Sequence, residues 1–455
     1  MGDYNLDRTR KKIAWAMAGL CAAGAAWVAS PGLPVFRAPY ARPEVKLAGL
    51  ALFEHEWQPH DPMARGDGLG PVFNAKSCVA CHFQGGVGGG GDNKHNVLAF
   101  QAHPTQDRPE VKGGLVHKFA VENRFFEKTS ELSKFFPVIP GGIRVESGCS
   151  VLTLDFDPIH TESVNSTALF GAGWLDRISG KSIRHESMKT TVAKIGRELD
   201  SDFGGVVLGR PRILPDGRLG KFGWKAQFAT LEDFVAAACA NEIGLGNPMM
   251  PQAKPLVRSG YPDVEPDLDR DQFRSLVAFI DTLERPVEIT PESPGEQEEA
   301  ARGKEMFAKV GCAACHTPDM GGVAGVYTDF LLHRLDDRSL PGGGGGGYGP
   351  TNATPPVPLP EAFPLEEEWK TPALWGVADS APYFHDGGSP TLESAILRHM
   401  GDAEQITRAY KHLPASDRQA VIAFLRILKA PVEAKPAPLP SKTTLAQASG
   451  VEKVR

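Results

Sequence analysis

The apolar positions along the chain predict a series of short amphipathic helices, and two of them repeat one pattern. VAFIDTLERPVE at 277–288 and IAFLRILKAPVE at 422–433 share six of twelve residues. In each copy an apolar-periodic helix ends at a proline. The repeat therefore predicts two copies of one helical module.

Capping residues predict where three further helices begin. Their expected first residues are Thr230, Ser293 with Pro294, and Ser389 with Pro390. Ser293 also forms a capping box with Glu296, and the helix that it starts is expected to run to the second cysteine pair. Gly401 is expected to stop the third helix.

The N-terminus predicts a targeting segment at residues 1–35. Four basic residues before position 13 precede an uninterrupted apolar run, Ile13–Ala29. A basic flank followed by about 17 apolar residues is typical of a cleaved export signal or of an uncleaved membrane anchor. The terminal position argues against a buried core helix. Either alternative puts the rest of the chain outside the cytoplasm, in the periplasm.

Composition narrows the possible functions. The 455-residue chain has a formal net charge of −6, so it lacks the basic excess that binds nucleic-acid backbones, and we expect no nucleic-acid partner. Its 50 Gly and 38 Pro predict many loops rather than a coiled coil. Glycine-rich loops are predicted at 85–91 and 341–360, and residues 435–455 are expected to form a disordered tail.

Two five-residue motifs indicate which cofactor the chain binds. Cys78-Val-Ala-Cys81-His82 and Cys312-Ala-Ala-Cys315-His316 both have the C-x-x-C-H form of a c-type haem attachment site. A zinc site or a thioredoxin-like pair fits less well, because no βαβ pattern surrounds the motifs and an exported chain would oxidise a bare cysteine pair. The motifs predict two covalently bound haem c groups, with His82 and His316 as proximal ligands.

Helix, haem motif and closing helix together follow the plan of a small cytochrome c domain. We therefore predict a mainly α fold with two cytochrome c-like haem domains in tandem, at residues 40–288 and 289–434. The fold is expected to be loop-rich, and the first domain carries a long, partly irregular insertion at 97–158.

Around these motifs the chain resembles a known family. GPVFNAKSCVACH at 70–82, KTPALWGVADSAPYFHDG at 370–387 and the C-terminal helix are similar to the di-haem cytochrome c peroxidase superfamily. The most similar branch is its di-haem oxidoreductases, also labelled thiol oxidoreductases, and the superfamily includes the methylamine-dehydrogenase maturation enzyme. The resemblance extends over 47–431 and is weak across the insertion.

The resemblance implies a division of labour between two haems. The N-terminal haem would be catalytic, and the C-terminal haem would relay electrons from a small cytochrome c or a cupredoxin. The implied reaction is reduction of hydrogen peroxide. Two alternatives stay open: oxidation of a protein or organic substrate through high-valent iron, and a di-haem electron-transfer cytochrome without turnover.

The resemblance also implies a second iron ligand for the relay haem, fourteen residues after His385, at His399. Neighbouring helical residues point about 100° apart, so His399 and Met400 cannot both face one iron. His399 shares its predicted helix face with Leu392 and Ala395, an apolar stripe that would cover a haem. His399 is therefore favoured, with Met400 as the alternative ligand and a structural buried histidine as the other.

A glutamate on a short helix is the proton-transfer group that the resemblance implies at the catalytic haem. On the helix that begins at Thr230, Glu242 follows Phe234 and Ala238 on one face. An apolar face and a helix C-terminus both raise the pKa of a carboxyl group, which suits a proton shuttle. A surface glutamate at a fraying helix end is the alternative.

Other candidate residues rest on weaker signals. Trp174 resembles the family's bridging tryptophan and would relay electrons between the haems, with core packing as the alternative. His385 would bond a haem propionate or a group between the haems rather than iron. His95 and His160 are weaker candidates for the distal side of the catalytic haem.

Two further expectations concern cross-links and ions. Cys149 and Cys239 remain after the haem cysteines and Cys21 of the export segment, and an oxidising compartment favours a disulfide between them; separate buried thiols are the alternative. The resemblance implies a calcium ion between the haem domains, for which the sequence shows no ligand set.

Overall fold

The structure is a computed structural model that describes residues 39–147, 150–198, 207–256, 261–335 and 363–437. The predicted export segment, the glycine-rich loop at 341–360 and residues 438–455 lie outside the described residues. Within these ranges, no helix is both long enough and apolar enough to cross a membrane. Lys435, at the start of the predicted tail, is held by an ion pair with Glu54 at 2.6 Å.

Helices make up 35 % of the structure and strands 17 %, so the mainly α prediction is met only in part. The helices are α1 Pro43–Glu54, α2 Leu132–Phe135, α3 Ala172–Asp176, α4 Gly180–Glu198, α5 Leu231–Ala238, α6 Arg270–Asp281, α7 Pro294–Val310, α8 Leu392–Leu397, α9 Glu404–His412 and α10 Ala415–Arg426. A single turn of π-helix, Cys239–Ile243, continues α5. The division into tandem haem domains stays a prediction.

The insertion at 97–158 contains antiparallel strands, which the sequence analysis did not predict, separated by loops. The strands are β1 Val72–Phe73, β2 Val97–Ala102, β3 Lys112–Val116, β4 Phe119–Ala120, β5 Ile139–Ser147, β6 Ser150–Phe156, β7 Ile159–Val164, β8 Val287–Glu288, β9 Leu332–Arg334, β10 Glu368–Lys370 and β11 Leu428–Lys429. β2 lies between β3 and β7, with Phe100 opposite Gly114 and Thr161. β5 pairs with β6. Strands and irregular loops alternate along the insertion, as the expectation of a partly irregular segment allows.

Each half of the chain contains a helix crossing of the same kind. α1 packs against α6 and α7 packs against α10. Each crossing has a glycine at its closest point, Gly49 in the first and Gly303 in the second. A methyl group on Gly49 would overlap the carbonyl oxygen of Ser275, and one on Gly303 would overlap that of Ala420. Only glycine permits such close approach, so the sequence repeat corresponds to a repeated packing arrangement.

The two crossings also repeat their aromatic contacts. Phe53 lies 5.3 Å from Phe279 and 6.3 Å from the ring of His82, measured between ring centroids. Phe307 lies 5.3 Å from Phe424 and 6.3 Å from the ring of His316. In each half a buried phenylalanine on the first helix therefore connects the helix pair to the motif histidine.

Two of the three predicted helix starts are confirmed. Ser293 accepts the backbone N–H of Glu296 in a capping box, and Thr230 accepts that of Asp233. The prediction at Ser389 is wrong, since Thr391 caps α8 and the helix ends at Leu397 rather than at Gly401. Ser389 exchanges two backbone hydrogen bonds with Tyr383, six positions earlier, and this bridge removes it from the capping position.

The apolar core follows the same two-part arrangement. One cluster surrounds Phe53, Leu276 and Phe279, and its members extend from residue 52 to residue 283. A second surrounds Phe307 and Phe424 and extends from residue 307 to residue 428. Each motif histidine lies beside one of these clusters, which supply the rigid wall behind it.

We predict that Gly303→Ala destabilises the protein by about 1–3 kcal/mol, because the added methyl group forces α7 away from α10. Gly295, in the first turn of the same helix, has open space around its Cα, so Gly295→Ala should leave stability unchanged or raise it by up to about 1 kcal/mol. Chemical denaturation of both variants measures the difference. Equal stabilities would contradict the close crossing.

Candidate functional site

The first motif forms a tight turn that directs His82 inward. The backbone N–H groups of Cys81 and His82 both donate to the carbonyl of Cys78, at 3.2 and 3.1 Å. Nδ1 of His82 lies 3.0 Å from the carbonyl oxygen of Gly89 and donates to it. Burial lowers the pKa of His82 to about 4, so the ring is neutral near pH 7. With Nδ1 protonated, Nε2 keeps the lone pair that a metal ion requires.

The glycine loop after this motif positions the carbonyl of Gly89. Gly88 has φ of +96° and its N–H donates to the carbonyl of His82 at 3.0 Å. Any side chain at Gly89 would overlap the carbonyl oxygen of Gln84. The loop therefore folds back on the motif, and its bare backbone supplies the acceptor that orients the histidine.

The π turn places Glu242 near the first motif. Its Oε2 accepts the side-chain N–H of Asn74 at 2.9 Å. The side chain is half-buried, and burial raises the pKa of its carboxyl group, against the opposing effects of Asn74, His117 and Lys118. Its negative charge also contributes to raising the pKa of the Cys81 thiol, so the carboxyl group lies near the first motif.

Sequence reasoning missed three polar neighbours of Glu242. Asn74 follows β1, which pairs with β4, and its side-chain oxygen accepts the N–H of Lys118 at 3.0 Å. Lys118 and His117 belong to the insertion, where the sequence offered no motif. Burial lowers the pKa of Lys118, while Cys81 and Glu242 oppose that shift. The segment between β3 and β4, 124 positions before the π turn at His117–Asn241, thus contributes to the site.

The second motif repeats the histidine geometry of the first. The N–H of His316 donates to the carbonyl of Cys312 at 3.0 Å, and Nδ1 donates to the carbonyl of Tyr327 at 3.0 Å. Burial lowers the pKa of His316 to about 4 as well. Nε2 of a second half-buried, neutral imidazole is therefore available to a metal ion.

His399 faces His316. The ring centroids are 6.5 Å apart. A metal–imidazole bond of about 2.0–2.1 Å on each side fits that separation, since each ring centroid lies roughly 1 Å behind its nitrogen. Nδ1 of His399 donates to the carbonyl of Ala395 at 2.7 Å, which leaves Nε2 for the metal ion. Met400 follows it without lining the cavity that the two histidines share.

A buried ion pair lies beside the second motif. Nε2 of His333 lies 2.8 Å from Oδ2 of Asp329, and Nδ1 lies 3.7 Å from the sulfur of Cys315. Burial opposes protonation of His333, but Asp329 and Cys315 raise its pKa well above the usual value. Cys315, Asp329 and His333 form the one group of three potential metal ligands among the described residues. A thioether at Cys315 would remove its thiolate from that set.

A cavity of about 300 Å³ extends from the second motif toward the N-terminal half. Its lining includes His316 and His399 together with three tryptophans, Trp224, Trp369 and Trp375. His385 lines it too, stacked on Trp369 at 3.6 Å between ring centroids. Nε2 of His385 lies 3.1 Å from Glu162 of β7, so His385 connects the insertion-side sheet to this cavity.

The predicted bridging tryptophan lies outside that lining. Trp174, on α3, has the guanidinium of Arg285 over its ring at 5.0 Å. The electron relay role of Trp174 stays a prediction, and Trp224, Trp369 and Trp375 are the tryptophans that sequence reasoning missed. Only their position in the cavity distinguishes them from the other tryptophans of the chain.

The remaining candidates have their own partners. His95 lies 2.7 Å from Asp92, and His160 lies 3.1 Å from Glu366. Cys239 is buried in the first core cluster. Cys149 lies outside the described residues, so the predicted Cys149–Cys239 disulfide stays a prediction. The calcium site also stays a prediction. The one group of potential metal ligands among the described residues contains a thiol and an imidazole, which calcium does not favour.

Comparisons with known proteins match the C-terminal part of the chain to a di-haem family. The family model described as "Di-haem oxidoreductase, putative peroxidase" matches residues 362–428. The gamma subunit of hydrazine synthase from Kuenenia stuttgartiensis is 29 % identical over 177 residues, which are 34 % of this chain and 49 % of that protein. The cytochrome c peroxidase Ccp of Escherichia coli K12 is 27 % identical over 235 residues, 45 % of this chain and 44 % of that protein.

These matches confirm the resemblance to the di-haem peroxidase superfamily, and the family implies haem cofactors. The chain spans about half the length of the curated relatives that it matches.

Two solved structures are also similar. Hydrazine synthase from Kuenenia stuttgartiensis under xenon pressure has 15 % identity and a TM-score of 0.35, over 88 % of this chain and 98 % of that one. A MauG-like protein associated with microbial copper homeostasis has 18 % identity and a TM-score of 0.28, over 48 % and 72 %. Such low scores do not establish a common fold.

We predict that Glu242→Gln raises the melting temperature at pH 7.5. The raised pKa of Glu242 means that the folded state binds its proton more tightly than the unfolded state does. The native protein therefore loses stability as the pH rises above about 4.3, the value of an unperturbed glutamate. The neutral amide avoids that loss, so the difference in melting temperature should shrink toward pH 4. A variant that is less stable at pH 7.5 would contradict the buried carboxyl group.

Proposed function

We propose that the protein is a di-haem c-type peroxidase that reduces hydrogen peroxide with electrons from a small periplasmic donor. One haem c would be held by Cys78, Cys81 and His82, and the other by Cys312, Cys315 and His316. The support comes from the two histidines, because each is half-buried and neutral and donates its Nδ1–H to a backbone carbonyl. That arrangement suits a proximal ligand whose Nε2 faces a metal ion.

The environment of the Glu242 carboxyl group is the observation that supports the catalytic part of the proposal. Cleavage of a peroxide bond needs a group that moves a proton from one oxygen to the other. A half-buried carboxyl group with a raised pKa, close to Cys81, has the right chemistry for that task. The side-chain amide of Asn74 holds its Oε2 in place.

In the overall reaction, each molecule of hydrogen peroxide takes up two electrons and two protons and yields two molecules of water. When bound, a haem at the first motif would supply an iron that takes up peroxide and passes electrons to it. Glu242 would accept a proton from one oxygen of the peroxide and donate it to the other oxygen. Lys118 places a positive charge nearby, which helps to balance the charge of the carboxylate.

The second site has the properties of an electron relay rather than of a reaction centre. His316 and His399 face each other 6.5 Å apart, and two imidazole ligands would leave no coordination position for a substrate. The tryptophans that line the adjoining cavity provide aromatic groups beside this site. We propose a small cytochrome c or a cupredoxin as the donor, and export to the periplasm, with residues 1–35 removed or retained as an anchor.

Glu242→Gln should slow peroxide reduction by about 10²–10⁴-fold, because the amide cannot carry the proton between the two oxygens. Both haem absorption spectra should stay unchanged. Glu232 provides a matched control, since it is exposed on the first turn of the same helix. Glu232→Gln should keep the full rate in a steady-state assay with a reduced donor.

Two results would contradict the proposal. A Glu242→Gln variant as fast as the unsubstituted protein would remove the carboxyl group from the mechanism. Two low-spin irons that stay unchanged by peroxide or carbon monoxide, in both redox states, would indicate an electron-transfer cytochrome instead.

His399→Ala should convert the iron at the second motif from low spin to high spin, which electron paramagnetic resonance of the ferric protein measures. Loss of one imidazole opens a coordination position and changes the potential of this iron. Met400→Ala is the matched control and should leave the spectrum unchanged. The opposite result, a change in Met400→Ala alone, would identify the methionine as the ligand.

A further inference from the structure

The insertion at 97–158 contributes a buried ion pair for which the proposed function has no role. His117 and Glu127 are 5 % and 4 % exposed. Nδ1 of His117 lies 2.9 Å from Oε2 of Glu127, and the same oxygen accepts the backbone N–H of His117 at 2.8 Å. Oε1 of Glu127 accepts the N–H of Leu256 at 2.7 Å. Both carboxylate oxygens therefore help to hold the imidazole in one orientation.

The other ring nitrogen contacts the π turn. Nε2 of His117 lies 2.9 Å from the carbonyl oxygen of Asn241, the residue before Glu242. A backbone carbonyl can only accept, so Nε2 carries a proton and donates it. The last carbonyls of a helix have no partner within the helix and carry its negative dipole end. The imidazole of His117 supplies that missing partner.

The next carbonyl is held from another direction. The carbonyl of Glu242 accepts the backbone N–H of Asn74 at 2.7 Å and that of Ala75 at 3.3 Å. Two successive carbonyls of the π turn are thus bonded to two distant segments of the chain. A π turn is often found at a functional site, and here these bonds hold its shape. The direction of the Glu242 side chain depends on that backbone.

We propose that His117, held by Glu127, is a positioning residue that fixes the π turn and thereby directs the carboxyl group of Glu242 toward the haem of the first motif. The inference rests on the proposed function of Glu242. It gives the insertion a role in completing the catalytic site. The other groups around the carboxyl group are Asn74, Lys118 and the sulfur of Cys81.

Two variants of the full-length, haem-loaded protein test the inference. His117→Phe keeps the ring volume and removes both ring hydrogen bonds. His117→Gln has an amide N–H near the position of Nε2 and keeps the bond to Asn241. We expect His117→Phe to lower kcat for peroxide by about 10–100-fold with little change in KM, and His117→Gln to recover most of that loss.

His55 supplies the matched control. Its Nε2 also lies 2.9 Å from a carboxylate, that of Asp61, and it has no hydrogen bond to the π turn. His55→Gln should therefore keep the full kcat. A second comparison applies if His117→Phe does not retain haem. His117→Asn can reach Glu127 but not Asn241, whereas His117→Gln can reach Asn241, so His117→Asn should have the lower kcat. Equal rates for these two variants would overturn the inference.

Fluoride binding to the ferric protein gives a readout that is independent of turnover. A nearby acid stabilises bound fluoride by donating a proton, so Glu242→Gln and His117→Phe should each weaken fluoride binding. The double variant should bind fluoride as Glu242→Gln alone does, because His117 acts through Glu242. Additive losses would overturn the inference.

The two proposals fail in different ways. If Glu242→Gln keeps the full peroxide rate, the proposed function is wrong, and the fluoride comparison still tests the link between His117 and Glu242. If Glu242→Gln is slow while a folded His117→Phe is as fast as the unsubstituted protein, only the positioning role is wrong.

Discussion

The hydrogen bond from Nδ1 of each motif histidine to a backbone carbonyl is the interaction on which the rest of the candidate site depends. The acceptors are Gly89 for His82 and Tyr327 for His316. Each bond selects one tautomer and leaves Nε2 as the available ligand. Both bonds require a loop that returns to its own motif, and in the first half only glycine allows the loop to pass so close. The helix crossings then hold the rings through Phe53 and Phe307.

Beyond this shared arrangement the two halves differ. The histidine of the second motif faces another imidazole, which suits a closed coordination sphere. The carboxyl group of Glu242 lies near the first motif and is surrounded by amide, imidazole and ammonium groups. The duplicated packing therefore provides two similar supports, and the residues added around each support are what distinguish a proposed reaction centre from a proposed relay. The insertion contributes to the first of these, through His117 and Lys118.

Local sequence signals predicted part of this structure correctly. The capping residues Thr230 and Ser293 begin their helices as expected, because a side chain three residues before its partner acts within one turn. Ser389 failed as a cap because its backbone is bonded to Tyr383 instead. The insertion was expected to be partly irregular, and its strand pairing, in which β2 lies beside both β3 and β7, was not predicted. Strand pairing between distant segments leaves little trace in the periodicity of either segment.

The sequence by itself determined the two C-x-x-C-H motifs, the repeated helices and the resemblance to the di-haem family, because each depends on residues within a few positions of one another. Only the tertiary structure decided which groups meet around them. Asn74 reaches Glu242 from 168 positions away in the chain, and His117 reaches Asn241 from 124 positions away. Trp369 packs on His385 in the same way, through contact between segments that are separate in sequence. Such contacts depend on how whole helices and sheets pack, since burial and loop closure, not local spacing, determine which side chains converge.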